Sequence, residues 1–185
     1  MSDKPTTSDP ATFGVVTIDT REQSPFAFEG FTTDVHAGNI HPLTVATERG
    51  TLKSGDYSIA GHHDAVAIER KSVEDLFGTL GQGRDRFERE LARLDAMKYA
   101  AVVVEGDWSR IVFSPPTYSK LSPKTVFRSV IAWQQRYRNV HWWMCPDRRF
   151  AEAVTLRALM RFKAEHEREL KEQKTQTTQK ASDDR

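Results

Sequence analysis

Cysteine, long apolar runs and an excess of either charge are all missing from this chain. Cys145 is the one cysteine, which excludes an internal disulfide framework and a multi-cysteine zinc site. No apolar stretch approaches the roughly 18 residues that a membrane helix needs. Residues 1–10 are polar and carry no apolar leader core. A secretory signal is therefore not visible, and the expectation is a cytoplasmic, intracellular protein with no membrane role. Hydrophobic residues make up 38% of the 185, enough for one modest core. There is no internal repeat.

The even charge conceals a split. Overall, 27 basic side chains face 26 acidic ones, a net of +1, and such neutrality argues against a nucleic-acid binder. Residues 1–80 nevertheless carry 6 basic and 12 acidic side chains, and residues 81–185 carry 21 and 14. One reading is chance plus a lysine-containing tail. The other is an acidic site beside a basic binding surface.

Residues 1–12 are rich in Ser, Thr, Asp and Pro and read as a disordered lead. Gly14–Ile18 is a β-rich run that ends at Asp19-Thr20-Arg21-Glu22. Residues 24–41 are expected to be irregular, Leu43–Thr47 to be β-like, and Arg49-Gly50 to turn. Thr51–Ile59 and Ala65–Ile68 read as hairpin arms around Gly61-His62-His63-Asp64, with the histidines as turn residues. Ser72 is expected to cap a helix, with Asp75 three residues on, which Gly78, Gly81 and Gly83 break into a flexible loop. Phe87, Leu91, Leu94 and Met97 mark one face of a second helix. Ala100–Val104 is apolar throughout, as a strand covered on both faces is. Ser122-Pro123 opens a further helix, with apolar positions at Val126, Phe127, Val130, Ile131 and Trp133. Val140–Met144 reads as the last strand, on which Trp142 and Trp143 face opposite ways. His141 and Cys145 are expected to pack. Phe150 to about Leu170 is a last helix, and residues 171–185 are expected to be disordered. Strands followed by alternating helices and strands favour an α/β sandwich with a mixed sheet.

Asp19, Asp56, Glu69 and Lys71 fall at strand ends or on the hairpin. The 12 residues between Asp56 and Glu69 suit two short strands and a turn, which brings both carboxylates to one end of the sheet. Asp19 could join them from the neighbouring strand. Crowded carboxylates repel unless a cation intervenes, and magnesium takes such oxygen ligands together with water. Such a metal acidifies a bound water and neutralises charge developing on a phosphate. Side chains alternate along a strand, so Lys71 shares a face with Glu69. An ammonium there orients the attacking water or stabilises a pentacovalent transition state.

Gly55-Asp56 followed by Glu69-Arg70-Lys71-Ser72-Val73-Glu74-Asp75 resembles the GD…ERKxxxD signature of the XPF-type structure-specific endonucleases (xeroderma pigmentosum group F and its relatives). Asp19-Thr20-Arg21-Glu22 resembles the upstream D-x-R-E element of that family. Leu76-Phe77-Gly78-Thr79-Leu80, Gly83-Arg84 and Arg86-Phe87 resemble the family's residues just downstream of its signature. The resemblance is dense from Gly14 to Glu105 and looser to Phe162. It suggests a nuclease domain over residues 13–165, between the lead and a charged, disordered tail over 166–185.

The resemblance implies a restriction-endonuclease-like, PD-(D/E)XK, three-layer α/β fold with a central mixed β-sheet flanked by helices. It implies a metal-dependent DNA endonuclease that leaves 5′-phosphate and 3′-hydroxyl ends. By position, Asp56 and Glu69 would bind magnesium or manganese, with Asp19 in the same acidic cluster. Lys71 would act in catalysis, Arg70 would contact DNA or buttress the site, and Asp75 would be a structural or secondary site residue. The implied substrates are branched DNAs such as flaps and forks, in repair or recombination, and a homodimer or partner protein is implied by analogy. Many members carry a C-terminal helix-hairpin-helix pair. No G-x-G hairpin signature occurs after residue 110 here, so duplex binding must come from elsewhere.

Lys120 to Arg149 holds 7 basic residues and one acidic, with Trp133, Tyr137, Trp142 and Trp143 interleaved. Arg21, Arg70, Arg84, Arg86, Lys120, Lys124 and Arg128 are the candidate DNA contacts through phosphate, and exposed aromatics would stack unpaired bases. Gly78, Gly81 and Gly83 read as a mobile connection, because no Walker-type Lys-Ser/Thr comes after them. A catalytically silent DNA-binding module of the same fold is the alternative function; RNA cleavage and sequence-specific restriction also stay open. A metal neutralising the acidic half would let the basic half face phosphate, so near-neutrality ceases to argue against DNA.

Overall fold

A computed structural model describes residues 13–32 and 41–183, with side chains as far as residue 176. The lead over 1–12 and residues 33–40 of the irregular stretch lie outside the described residues. The strands are β1 (Val15–Asp19), β2 (Phe31–Thr32), β3 (Pro42–Leu43), β4 (Ala46–Gly50), β5 (Tyr57–Ile59), β6 (Val66–Lys71), β7 (Tyr99–Val104) and β8 (Val140–Met144). The helices are α1 (Val73–Gly81), α2 (Arg84–Asp95), α3 (Trp108–Phe113), α4 (Pro123–Arg136) and α5 (Arg148–Asp183). The central sheet has the order β4-β1-β5-β6-β7-β8, and β2 pairs with β3 in a separate ribbon. β1 runs parallel to β4 and antiparallel to β5, and β5 is antiparallel to β6. β6, β7 and β8 are parallel.

One strand supplies both cores. Ala100, Val102 and Val104 of β7 pack with Leu76 and Phe77 of α1, Leu91 and Leu94 of α2, and Val126 and Trp133 of α4. Ala101 and Val103 pack on the other side with Leu156 and Leu159 of α5, and with Phe26, Phe28 and Tyr57. Period-two alternation in a parallel strand covered on both faces gives this division. The result is three layers, with the mixed sheet between α1–α4 and α5, as expected.

Several segments differ from the sequence reading. Thr51–Ile59 is not one strand: only Tyr57–Ile59 pairs, and residues 51–56 form a loop held by side chains. Arg49-Gly50 ends β4 and does not turn. Gly78 sits inside α1 and does not break it, because the buried Val73, Leu76, Phe77 and Leu80 outweigh one glycine. α3 is an unforeseen short helix, capped by Asp107, whose side chain accepts from the Arg110 N–H. In α4, Val126, Val130 and Trp133 are buried while Phe127 and Ile131 are exposed, and Ser122 makes no side-chain cap bond. α5 runs to Asp183 where an irregular tail was expected. Pairs such as Lys163–Glu167 and Arg168–Glu172 support its exposed turns.

The start of α1 matters most for the site, because α1 leaves directly from β6. Ser72 Oγ accepts the Asp75 N–H at 3.0 Å and donates to Asp75 Oδ2 at 2.8 Å. Replacing Ser72 with Ala should cost about 1 kcal/mol. By thermal melting, that is a fall of roughly 2–4 °C.

Candidate active site

Gly55 shapes the ground on which the site stands. Its φ is +75°, and a Cβ there would lie 3.0 Å from Ala67 Cβ and 3.1 Å from Ile68 O. Only glycine fits a left-handed backbone pressed this closely on β6. The turn lets the next residue, Asp56, use both backbone and side chain. Its N–H donates to Ile68 O at 2.8 Å, and its Oδ2 accepts the Arg70 N–H at 2.7 Å. The Asp56 carboxylate thus continues the β5–β6 ladder where the backbone of the 51–56 loop departs. Asp56 also accepts the Asp19 N–H through its carbonyl, at 2.8 Å.

β6 then sorts three residues by alternation. Glu69 and Lys71 point to one face and meet, with Lys71 Nζ 2.7 Å from Glu69 Oε1. Lys71 also stands over the Phe87 ring, 4.8 Å from its centroid. Arg70 points to the opposite face. There its guanidinium holds Glu105 through two hydrogen bonds, at 2.7 and 3.1 Å, and lies 3.4 Å from Glu22. Arg148 joins that network from its more exposed edge, donating to Glu105 at 2.7 Å and to the carbonyls of Ser24 and Pro25.

An open cleft of about 440 Å³ lies over the Asp56, Glu69 and Lys71 side chains. α1 lines it with Glu74, Asp75, Gly78 and Thr79. Gly83 precedes α2, which adds Arg86, Phe87 and Glu90, with Arg86 and Glu90 four positions apart on one helical stripe. Arg21 and Gly55 complete the lining.

The electrostatics are those of crowded carboxylates. Burial, then the neighbouring Glu69, pushes the Asp56 carboxyl up to about 8. Burial raises Glu69 as well, against the pull of Lys71. Burial opposes the charge of Lys71, but Glu69 overrides it, and the ammonium is raised above its ordinary value. The cleft therefore holds a charged lysine beside two carboxyls whose ionisation burial opposes.

Of the residues singled out from the sequence, Asp56, Glu69, Lys71, Asp75, Arg21 and Arg86 come together around this cleft. Asp19 does not. It is buried, with Oδ1 accepting the backbone N–H and Nε of Arg21 and Oδ2 accepting Arg21 Nη2 and the Leu52 N–H. Burial pushes its carboxyl up, but these donors outweigh it and hold it below the ordinary carboxylate value. With both oxygens occupied by protein donors, Asp19 is a staple between β1 and the 51–56 loop. Among the described residues no group of three or more His, Cys, Asp or Glu is placed to hold a metal, so the expected three-carboxylate cluster reduces to a pair. Arg70 buttresses from behind and is not positioned for DNA. Arg84 also stands outside the cleft, tied to Glu88 and Ser129 and stacked over Trp133. Lys120, Lys124 and Arg128 are exposed on and before α4, away from the cleft lining.

Glu90, to which no sequence pattern points, accepts the Gly55 N–H at 3.1 Å. A contact spanning 35 residues leaves no spacing signal. Glu22 and Glu105, the two carboxylates behind the sheet, were equally hidden, although Glu22 falls within the D-x-R-E run.

The Asp56–Glu69 pair suits a divalent cation. Asp56 Oδ1 and Glu69 Oε2 accept no protein hydrogen bond among the described residues, and the open cleft leaves room for water. Magnesium is commonly held by one or two carboxylates with water filling its remaining positions.

The fold is a three-layer α/β domain whose mixed sheet sets an acid pair and a lysine beside one cleft. The ERCC4 domain model matches residues 18–155, and the chain belongs to the ERCC4 domain family. Among solved structures, XPF from Aeropyrum pernix is similar, with 19% identity and a TM-score of 0.56 over 85% of this chain and 69% of that one. The same protein in complex with DNA matches with 19% identity and a TM-score of 0.56, over 82% of this chain and 66% of that one. At such identity the likeness is one of fold. No curated protein sequence matches the chain.

Two outcomes test the geometry. Gly55→Ala should lower the melting temperature by about 4–8 °C, the equivalent of roughly 2 kcal/mol of backbone strain and crowding. Asp56→Asn should do the reverse when chelator is present. The folded carboxyl ionises near 8 and the unfolded one near 3.8, so the folded state retains a proton that the unfolded chain releases between those values. Stability therefore falls as pH rises through that window, and the amide abolishes the loss. The variant should melt roughly 2–4 °C above wild type near pH 8, with the gap closing as the pH falls toward 4.

Proposed function

We propose that this chain is a metal-dependent DNA endonuclease, cutting phosphodiester bonds at the cleft over Asp56, Glu69 and Lys71. The observation that carries the reading is the acid pair of half-buried Asp56 and buried Glu69, both raised in pKa, with free oxygens at an open cleft beside a charged lysine. Membership of the ERCC4 domain family and a solved XPF relative in complex with DNA support DNA as the substrate. Branched DNA with junctions of single and double strands is the form we propose, in repair or recombination.

Asp56 and Glu69 would hold magnesium or manganese, which supplies charge neutralisation and a more acidic water. The chain's own groups do the rest. Lys71, fixed by Glu69 and Phe87, directs its ammonium at the scissile phosphate and stabilises charge that develops there. Water forms the new bond to phosphorus as the bond to the 3′-oxygen breaks. That oxygen leaves with a proton, giving 3′-hydroxyl and 5′-phosphate ends. Arg86, which makes no ion pair among the described residues, stands at the rim for a flanking phosphate. Arg21 is partly exposed there too, although Asp19 holds its Nε. Arg70 maintains the position of β6 from the other face.

Purified protein incubated with labelled flap, fork, nicked and linear duplex DNA should cut only with magnesium or manganese. Asp56→Ala should abolish cutting, and Lys71→Ala should slow it roughly 100-fold or more. Magnesium should raise the melting temperature of wild type but not of Asp56→Ala, and DNA binding should weaken when the metal is chelated. Absence of cutting on every substrate, with DNA binding intact, would instead identify a silent module of the same fold.

A further inference from the structure

The stretch from Trp108 to Pro146 contains no aspartate or glutamate. It includes α3, the connecting segment and α4, and it leaves large rings in solvent. Phe113 is 81% exposed, Tyr118 73% and Phe127 43%. None of these three rings was among the aromatics that the sequence suggested for base stacking; of those, Trp143 is 46% exposed, but on β8 beside α5. Trp133 is core, and Trp142 is partly buried against it.

The exposed rings do not stand alone. On α4, Lys124, Phe127, Arg128 and Ile131 succeed one another at helical spacing, so cations and apolar groups share one outward stripe. Phe127 packs edge-on against Trp108, 5.2 Å between ring centroids, which joins this stripe to α3 and to Phe113 at its end. Lys120 lies two residues beyond Tyr118 in the connecting segment. Lys120, Lys124 and Arg128 have no ion-pair partner among the described residues, whereas Arg110 and Arg136 of the same stretch are paired to Glu74 and Glu88.

The patch adjoins the cleft. Arg110 of α3 bonds Glu74, a residue of the cleft lining, and α4 packs on α1, which also lines the cleft.

We propose that this face is a binding site for single-stranded DNA, holding one unpaired arm of the substrate beside the cleft; this rests on the nuclease reading above. Unpaired bases offer faces to Phe113, Tyr118 and Phe127, while Lys120, Lys124 and Arg128 take the phosphates between them. A duplex keeps its bases stacked and gains nothing from the rings. A second copy of the chain is the weaker occupant. Two-fold pairing through this face would set one acid-free stretch against another, with no acidic side chain in either to answer the unpaired cations.

The test uses the Asp56→Asn chain, so that nothing is cut, in fluorescence anisotropy with a labelled oligo-dT of about 20 nucleotides, longer than a typical single-strand site. Joint replacement of Phe113, Tyr118 and Phe127 by Ala should weaken oligo-dT binding about tenfold or more and leave a blunt duplex unaffected. Lys124→Gln with Arg128→Gln should flatten the salt dependence of oligo-dT binding by about 0.7 per lost phosphate contact. Unchanged oligo-dT affinity in the triple variant overturns the proposal. So does sedimentation showing a dimer that the triple variant dissolves without loss of oligo-dT binding. Cutting by the otherwise wild-type chain is scored separately. A chain that cuts but has lost no oligo-dT affinity in the triple variant refutes this site alone. One that binds through the rings but cuts nothing refutes the nuclease reading alone.

Discussion

Everything at the cleft depends on holding Asp56 beside Glu69 although each carboxyl opposes the charge of the other. The energy for this does not come from the pair. It comes from backbone geometry and from groups outside the cleft. The Arg70 N–H fixes one Asp56 oxygen, and Gly55 makes the turn that permits it. Glu90 holds the Gly55 N–H from α2, and the Asp19 staple holds Leu52 and Arg21. Remove these and the two carboxyls would part to relieve their repulsion. A cation between them relieves it without movement.

The charge of the chain is organised by the same sheet. On one face, Glu69 and Lys71 line a cleft. On the other, Arg70, Glu22 and Glu105 form a network of similar burial, joined at its edge by the more exposed Arg148. Arginine suits the network because its planar fork satisfies two carboxylate oxygens at once. Lysine suits the cleft because its compact ammonium pairs with one carboxylate oxygen and keeps its other donors free. The sequence Glu-Arg-Lys therefore assigns its two cations to different tasks by position alone.

Most of the layer architecture was legible in the sequence, because its signals are periodic. The uniform apolar run of β7, the 3–4 spacing in α2 and the Ser72 cap each state their own structure. Asp56, Glu69 and Lys71 were legible because two short arms and a turn leave few ways to place them. What stayed hidden depends on contacts between distant segments. Asp19 has the composition of a ligand, and only the positions of Arg21 and Leu52 show that its oxygens are occupied. Arg84 and Arg86 are two residues apart and look equivalent, yet α2 turns one toward Ser129 and the other toward the cleft. Phe127 and Ile131 have core composition, but the face they occupy is open, and hydropathy alone does not reveal which side of α4 meets the sheet.

The alternation along β6 has a further consequence, for the fidelity of folding. A slip of β6 by a single residue against β7 would exchange its two faces. Glu69 and Lys71 would enter the compartment shaped for one guanidinium, and Arg70 would emerge into the cleft. Where Glu69 took the place of Arg70, Glu22 and Glu105 would face a further carboxylate, and the Phe26 ring would lose one of the two guanidinium groups that lie over it. Uncompensated charge in the interior makes such a shifted chain costly. The residues that line the cleft thus also act as a register check on the strand that bears them, and the chain reaches the native pairing and the cleft geometry together.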